Sequence, residues 1–542
     1  MKKGNKMDRN LDIVFKDVSV IDGTGSSAFK GDVGIKGGKI ACVGGLNKPE
    51  AKTVIDGRGL HLTPGFIDVH AHYDNVLFYD PVNFCKLSQG VTTEISGNCG
   101  ICMAPVASDP AKRKIWKTFL ERSTGSKMPD HIDNYTSYDK YFQDIEKLNI
   151  AINVAYLVGQ GAIRTAVMGF ENRPAKDSEL ECMKALVRDA MRNGALGMST
   201  GLIFPPGVFT PFEEIVELCK VVREYGGIYT THMRNEADFV IQSLKESIAV
   251  AKQAGIPVQI SHFKIYGRRN WGSSPEAMAV IDQANQEGLR ISMDMYPYTA
   301  GNTPFNFIIP PRYSQDGTGK MVETLKDKKN WPAIEDEMLH PQDGWDSYLL
   351  NAGYDGIMIM SAPATKDAVG KTIAQYANEK SMKPSEAVFD VLVKNEGQGV
   401  AAWFMIGEED IANIMRSPLT MFGTDGVPVP EGAITHPRII GTFPRILGRY
   451  VRNQGVLSLA EGIRKMTSLP AKTFGLKTKG LIHEGYDADL VLFNPDEIID
   501  CADFSDCYAP NIGIRLVMVN GQIAIEANKF TGQYAGRLLR LS

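Results

Sequence analysis

Apolar and polar residues alternate with a period of two at both ends of the chain. From about 11 to 64 the pattern predicts short β-strands, most clearly over Ile13–Ile21 and Val33–Val43. Gly37-Gly38 interrupts the second run between Ile35 and Ile40, as a hairpin turn does. The C-terminal end has the same texture. Leu490–Phe493 and Leu516–Val519 are apolar, and Asn520-Gly521 precedes Ile523 and Ile525 as a type I′ turn signal. Each end is too small to bury a core alone, so the two are expected to pair into one β-sandwich.

Between the ends, about 400 residues alternate apolar strand-like runs with helical patterns. The runs include Ala151–Val158, Gly194–Thr200, Gly227–His232, Val258–His262, Arg290–Tyr296 and Met421–Asp425. Helices are predicted over Ser178–Arg192 and Phe212–Tyr225. Repeated strand–helix units imply a parallel sheet, and this many units imply a closed α/β barrel. A stretch rich in Pro, Gly, Asp and Lys, about 301–355, breaks the rhythm and is expected to be an insertion. The expected organisation is 8–64 as the N-terminal part of the sandwich, 65–478 as the barrel and 479–542 as the C-terminal part.

Composition excludes some classes. The 542 residues are 43% hydrophobic and 23% charged with a net charge of −4, which favours neither nucleic acid nor anionic membranes. No apolar run is long enough to span a bilayer, and the basic start Met1–Lys6 leads into no apolar segment, so a cytoplasmic location is expected. Eight scattered Cys do not form a disulfide framework. Oligomeric state is not legible.

The candidate chemistry lies at the ends of the predicted strands. In Gly65-Phe66-Ile67-Asp68-Val69-His70-Ala71-His72, two imidazoles stand on one face of an extended segment and form a natural metal pincer. His232 ends one apolar run, His262 another and Asp425 a third. Barrel enzymes draw their catalytic residues from such C-terminal strand ends. Only nine His exist in the chain, and four fall at these positions. Cys99, in Ser96-Gly97-Asn98-Cys99-Gly100, follows the run Val91–Ile95, and its thiolate is a good zinc ligand. A buried structural thiol is the bland alternative for Cys99, and a turn or helix-cap Asp the bland alternative for Asp425.

These segments, with GVTTEISGNCG at 90–100, STGL at 199–202, THMRNE at 231–236, ISHFK at 260–264, DMYPYTAG at 294–301, GTDG at 423–426 and HPR at 436–438, resemble the D-aminoacylase (N-acyl-D-amino-acid deacylase) family of the amidohydrolase superfamily. The resemblance runs almost end to end. It implies a (β/α)8 barrel with a small β-sandwich built from both chain ends. It implies one tightly bound Zn2+ held by Cys99, His232 and His262, and a second, weaker position among His70, His72 and Asp425 that Cys99 can bridge. Asp425 is then the proton shuttle, and Lys264, Tyr296 and Arg438 bind the substrate carboxylate. Gln160 departs from the family pattern, which has His there.

The expected activity is zinc-dependent hydrolysis of N-acyl-D-amino acids. The apolar segment Thr303–Pro310 favours neutral or hydrophobic side chains, while Arg312 leaves an acidic one open. Two alternatives remain. One is another amidohydrolase acting on a cyclic amide or dipeptide, dihydroorotase-like, against which Cys99 in place of a strand Lys and the HPR segment argue. The other is a serine hydrolase using Ser199 in Gly197-Met198-Ser199-Thr200-Gly201, a pattern that Pro205-Pro206 denies its required helix.

Overall fold

The computed structural model of the protein describes residues 10–46, 50–72, 74–124, 127–314, 317–341, 345–427 and 434–541; positions 8 and 9 of the expected N-terminal unit lie outside them. Both chain ends contribute to one nine-stranded sheet. Leu11–Val20, Phe29–Lys36, Lys39–Gly44, Ala51–Asp56 and His61–Pro64 come from one end. Leu490–Phe493, Ile514–Val519, Gln522–Glu526 and Lys529–Phe530 come from the other. The seam is antiparallel, with Leu490 opposite Pro64 and Phe493 opposite His61. A shared core buries Phe15, Val33 and Leu62 with Leu490, Leu516 and Met518, so each end completes the other. Both hairpin signals are turns with two consecutive positive φ values, 57° and 77° at Gly37 and Gly38, and 46° and 82° at Asn520 and Gly521. A type I′ turn requires this pair of angles.

Eight parallel strands form the barrel. They are Phe66–Asp68, Val91–Ser96, Asn153–Tyr156 continued by Val158–Gly159, Gly197–Gly201, Ile228–His232, Val258–Ile260, Ile291–Met295 and Thr420–Phe422. The first and last are joined by the Val69 N–H to the Phe422 carbonyl at 3.5 Å, the Asp425 N–H to the His70 carbonyl at 2.8 Å, and a parallel bridge between Ala71 and Gly426. One buried cluster contains Ile67, Ile95, Ala155, Ile228 and Met421. These residues belong to strands that are not all ladder neighbours, as a closed barrel demands. The helices Asp177–Arg192, Phe212–Glu224, Val240–Ala254 and Ser274–Gln286 pack each against the next around the strands. None of the described helices is long and apolar enough to cross a membrane.

The interruption of the barrel repeat extends beyond 355. A three-stranded antiparallel sheet of Gly301–Pro304, Val400–Trp403 and Ile357–Ser361 lies between the last two barrel strands. Its second half runs strand, helix, helix, strand, through Ile373–Glu379 and Pro384–Lys394. That order has the rhythm of a barrel unit, and only the antiparallel pairing separates the two.

Behind the barrel strands lies a buried charged group. Lys86 is within ion-pair distance of Asp68 and 3.9 Å from Glu94, and Asn83 donates to Glu94 at 3.0 Å. Burial pushes the Glu94 carboxyl up to about 7, with Lys86 opposing the shift. The folded chain therefore holds a proton that the unfolded chain releases above about pH 4.5, and the associated stability is lost as pH rises through that window to 7. Glu94→Gln is expected to flatten this decline by on the order of 2–3 kcal/mol between pH 5 and 8. Urea unfolding at the two pH values measures it, and an unchanged pH dependence contradicts the assignment.

Candidate active site

Each candidate donor stands just past a strand end. His232 closes Ile228–His232, His262 follows Val258–Ile260, Cys99 follows Val91–Ser96, and Asp425 follows Thr420–Phe422. The first strand is shorter than its sequence suggests and ends at Asp68, so His70 and His72 extend beyond it. Their rings still meet, 5.3 Å apart. Three of these residues have left-handed backbone, Cys99 at φ 54°, His262 at 37° and Asp425 at 47°. For non-glycine residues this costs about 1–3 kcal/mol each and is characteristic of sites held in a required geometry.

The donor atoms crowd together. Cys99 Sγ lies 3.3 Å from His70 Nε2 and 3.4 Å from His262 Nε2, and His262 Nε2 lies 3.0 Å from His232 Nδ1. Asp425 Oδ1 lies 3.2 Å from His72 Nε2 and 3.5 Å from His70 Nε2. A tetrahedral zinc with nitrogen and thiolate ligands spaces them about 3.3 Å (N to N) and about 3.6 Å (N to S) apart. The residues present therefore fit the ion. Cys99 Sγ belongs to one group of three donors and adjoins the group His70, His72, Asp425.

The electrostatics suit a cation. Burial opposes ionisation of Cys99, but the imidazoles of His70, His262 and His232 overcome it and hold the thiol well below its ordinary range. Burial also opposes the Asp425 carboxylate, which Arg438, His262 and His70 keep well below the usual carboxylate range. His72 is pushed up to about 9: burial works against its proton, while bonds to Asp425 and Cys99 hold it. Sulfur and carboxylate together draw positive charge into the cluster, as imidazolium protons or as a metal ion.

The expected substrate-binding residues adjoin the donors. Arg438 Nη1 is 2.8 Å from Asp425 Oδ2, and its guanidinium stacks 4.5 Å from the centre of the Tyr296 ring. Lys264 Nζ lies 5.8 Å from the same ring centre and 2.7 Å from Glu236 Oε1. His436 orients Arg438: its Nε2 donates to the Ala300 carbonyl at 2.9 Å, which leaves Nδ1 to accept the Arg438 backbone N–H at 3.1 Å. Sequence reasoning missed His436 in this role, and it missed Glu236 and Asp294. Asp294 faces His70 Nδ1 at 3.3 Å and accepts the His262 backbone N–H at 2.8 Å. Both acids stand in quoted motifs, Glu236 four residues after His232 and Asp294 at the start of DMYPYTAG.

Two further positions are resolved by their contacts. Ser199 is buried in the strand Gly197–Gly201; its hydroxyl donates to the Gly97 carbonyl and accepts the Gly100 N–H, so it clamps both sides of the Cys99 turn. That is a scaffold role rather than a nucleophile's. A serine-directed acylating reagent is expected to leave activity intact while a chelator removes it, and the reverse result contradicts this. Gln160 donates to Thr210 at 3.0 Å and Glu214 at 3.2 Å, within a buried network that includes Arg164.

A parallel barrel carrying a thiol, four imidazoles and a carboxylate at one rim defines a metal-dependent barrel hydrolase. The Amidohydrolase family model matches residues 53–291 and 355–525. The chain is 34% identical to a D-aminoacylase of Alcaligenes xylosoxydans xylosoxydans over 98% of its own length and 97% of the relative's. It belongs to the amidohydrolase family, and within it to the D-aminoacylases. A D-aminoacylase structure studied for its binuclear metal centre, with one-metal activation and second-metal attenuation, superposes with a TM-score of 0.81 at 33% identity, covering 98% of this chain and 100% of that one. The N-acyl-D-glutamate deacylase of Bordetella bronchiseptica, complexed with zinc and a phosphonate mimic of the tetrahedral intermediate, superposes with a TM-score of 0.80 at 29% identity and the same coverage.

Proposed function

We propose that the protein hydrolyses N-acyl-D-amino acids to the D-amino acid and a carboxylate, using zinc. The observation that carries this reading is the convergence of Cys99, His262 and His232 beside the Asp425–Arg438 pair. The names of the relatives support the D configuration and the linear amide. When bound, zinc supplies a Lewis acid that polarises the acyl carbonyl and acidifies a water. Cys99, His232 and His262 would hold the first ion, and His70, His72 and Asp425 a second, weaker one.

Asp425 is the general base and then the acid. It accepts a proton from the attacking water and delivers it to the amide nitrogen as the C–N bond breaks, since an unprotonated amine leaves poorly. Arg438 takes the substrate carboxylate, with the Tyr296 hydroxyl and the Lys264 ammonium as further donors. Two-point guanidinium binding orients the α-carbon and thereby supports stereoselection.

Neutral or hydrophobic substrate side chains are favoured. Phe204 lies edge-on to the His232 ring at 5.7 Å, and Phe307 follows it at 6.4 Å. Arg312, which left an acidic side chain open, is exposed and paired with Glu337 at 2.5 Å. A cytoplasmic location is part of the same proposal, supported by eight Cys that are all unpaired.

The test is a hydrolysis panel of N-acetyl-D-, N-acetyl-L- and cyclic amide substrates, read alongside metal content. Selective turnover of N-acetyl-D-Leu-type substrates with zinc bound is expected. Preference for L or cyclic substrates contradicts the assignment.

A further inference from the structure

The imidazoles of His232 and His262 each have two ring nitrogens, and the structure uses them in opposite senses. His232 Nδ1 and His262 Nε2 face each other at 3.0 Å on the Cys99 side. The remaining nitrogens face away, toward a single buried carboxylate. Glu236 Oε1 is 3.0 Å from His262 Nδ1, and Glu236 Oε2 is 3.5 Å from His232 Nε2. The same Oε1 is 2.7 Å from Lys264 Nζ.

His232, Glu236 and His262 by themselves have the spacing of a third metal site. Lys264 resolves that ambiguity. Its ammonium stands 2.7 Å from both Glu236 Oε1 and His262 Nδ1, in the space a cation would take. Glu236 is also held from behind: its backbone N–H donates to Asp346 Oδ2 at 3.0 Å, and its carbonyl accepts the Tyr266 N–H at 2.8 Å. The carboxylate is thus aimed by the fold and does not rest there by chance rotation.

We propose that Glu236 is a positioning residue that fixes the tautomers of both first-position imidazoles and anchors Lys264, so that one carboxylate couples the metal donors to the substrate-carboxylate site. By accepting the outer ring N–H groups, it leaves His232 Nδ1 and His262 Nε2 unprotonated on the metal side. An outer carboxylate also raises the basicity of the ligand imidazole. The inference rests on the zinc-hydrolase reading above and adds to it a residue that neither touches the metal nor reacts.

Glu236→Gln is nearly isosteric but replaces one acceptor oxygen with an amide donor, which cannot accept from both imidazoles and Lys264 together. Competition for zinc against a chromophoric chelator, on zinc-free protein, is expected to show affinity about 10–100-fold weaker than wild type. The melting temperature of the zinc-free form should change little, and KM should rise with Lys264 unanchored. Zinc binding by Glu236→Gln as tight as wild type overturns the proposal. A wild-type protein that binds no zinc instead overturns the underlying reading.

If the variant does not fold, the wild type still decides. Nitrogen-15 NMR of the zinc-loaded protein is expected to show His232 ligated through Nδ1 with its proton on Nε2, and His262 the converse. Either ring found ligated through its other nitrogen overturns the proposal.

Discussion

Cys99→Ser is expected to lower kcat/KM by about 10³-fold or more, a loss of ~4 kcal/mol of transition-state stabilisation, with metal content falling in parallel. The sulfur is shared: it lies 3.3 Å from His70 Nε2 and 3.4 Å from His262 Nε2, so both donor groups lose a neighbour at once. Serine fills nearly the same volume, and the folded state should survive. Its hydroxyl, though, is a far harder donor and is not ionised near neutral pH. Cys102→Ser is the control. Cys102 is bonded to the Ala104 carbonyl at 2.8 Å and the Gly159 N–H at 3.0 Å, and burial raises its thiol to about 12. It should retain zinc and most activity. Equal losses in the two variants would indicate a paired Cys-X-X-Cys site instead.

Asp425→Asn is expected to lower kcat by about 10²–10⁴-fold, the usual contribution of a positioned acid–base group. Asp425 stands outside the Cys99, His70, His262 group, so the first metal position should stay filled while the second weakens. Single-turnover kinetics with metal analysis separates these effects. Activity within tenfold of wild type, with zinc retained, contradicts the shuttle role. The amide also leaves Arg438 buried against a neutral partner. Some rise in KM is therefore expected alongside the kcat effect, since the guanidinium loses its fixed counter-charge.

The sequence carried the barrel and its rim because both leave local marks. Strand ends such as Thr231-His232 combine an apolar run with a terminal donor, and Gly37-Gly38 and Asn520-Gly521 announce turns that need positive φ. What it did not reveal depends on non-local geometry. Glu236 and Asp294 look like ordinary acids in sequence; only folding sets them against the outer nitrogens of His232, His262 and His70. Lys86 reads as a surface lysine of a short helix, yet it is fully buried against Asp68 and Thr424. The insertion's extent was hidden because Ile357–Ser361 and Val400–Trp403 have the hydropathy of barrel strands and differ only in pairing direction. Ser199 fits a nucleophile pattern by spacing, and its bonds to Gly97 and Gly100 define it as a clamp.

X-ray absorption at the zinc edge of the loaded protein tests most directly whether this rim grips a metal through sulfur. A first shell with one sulfur near ~2.3 Å and nitrogen or oxygen near ~2.0–2.1 Å is expected, the sulfur vanishing in Cys99→Ser. A shell of nitrogen and oxygen alone in the wild type contradicts the account.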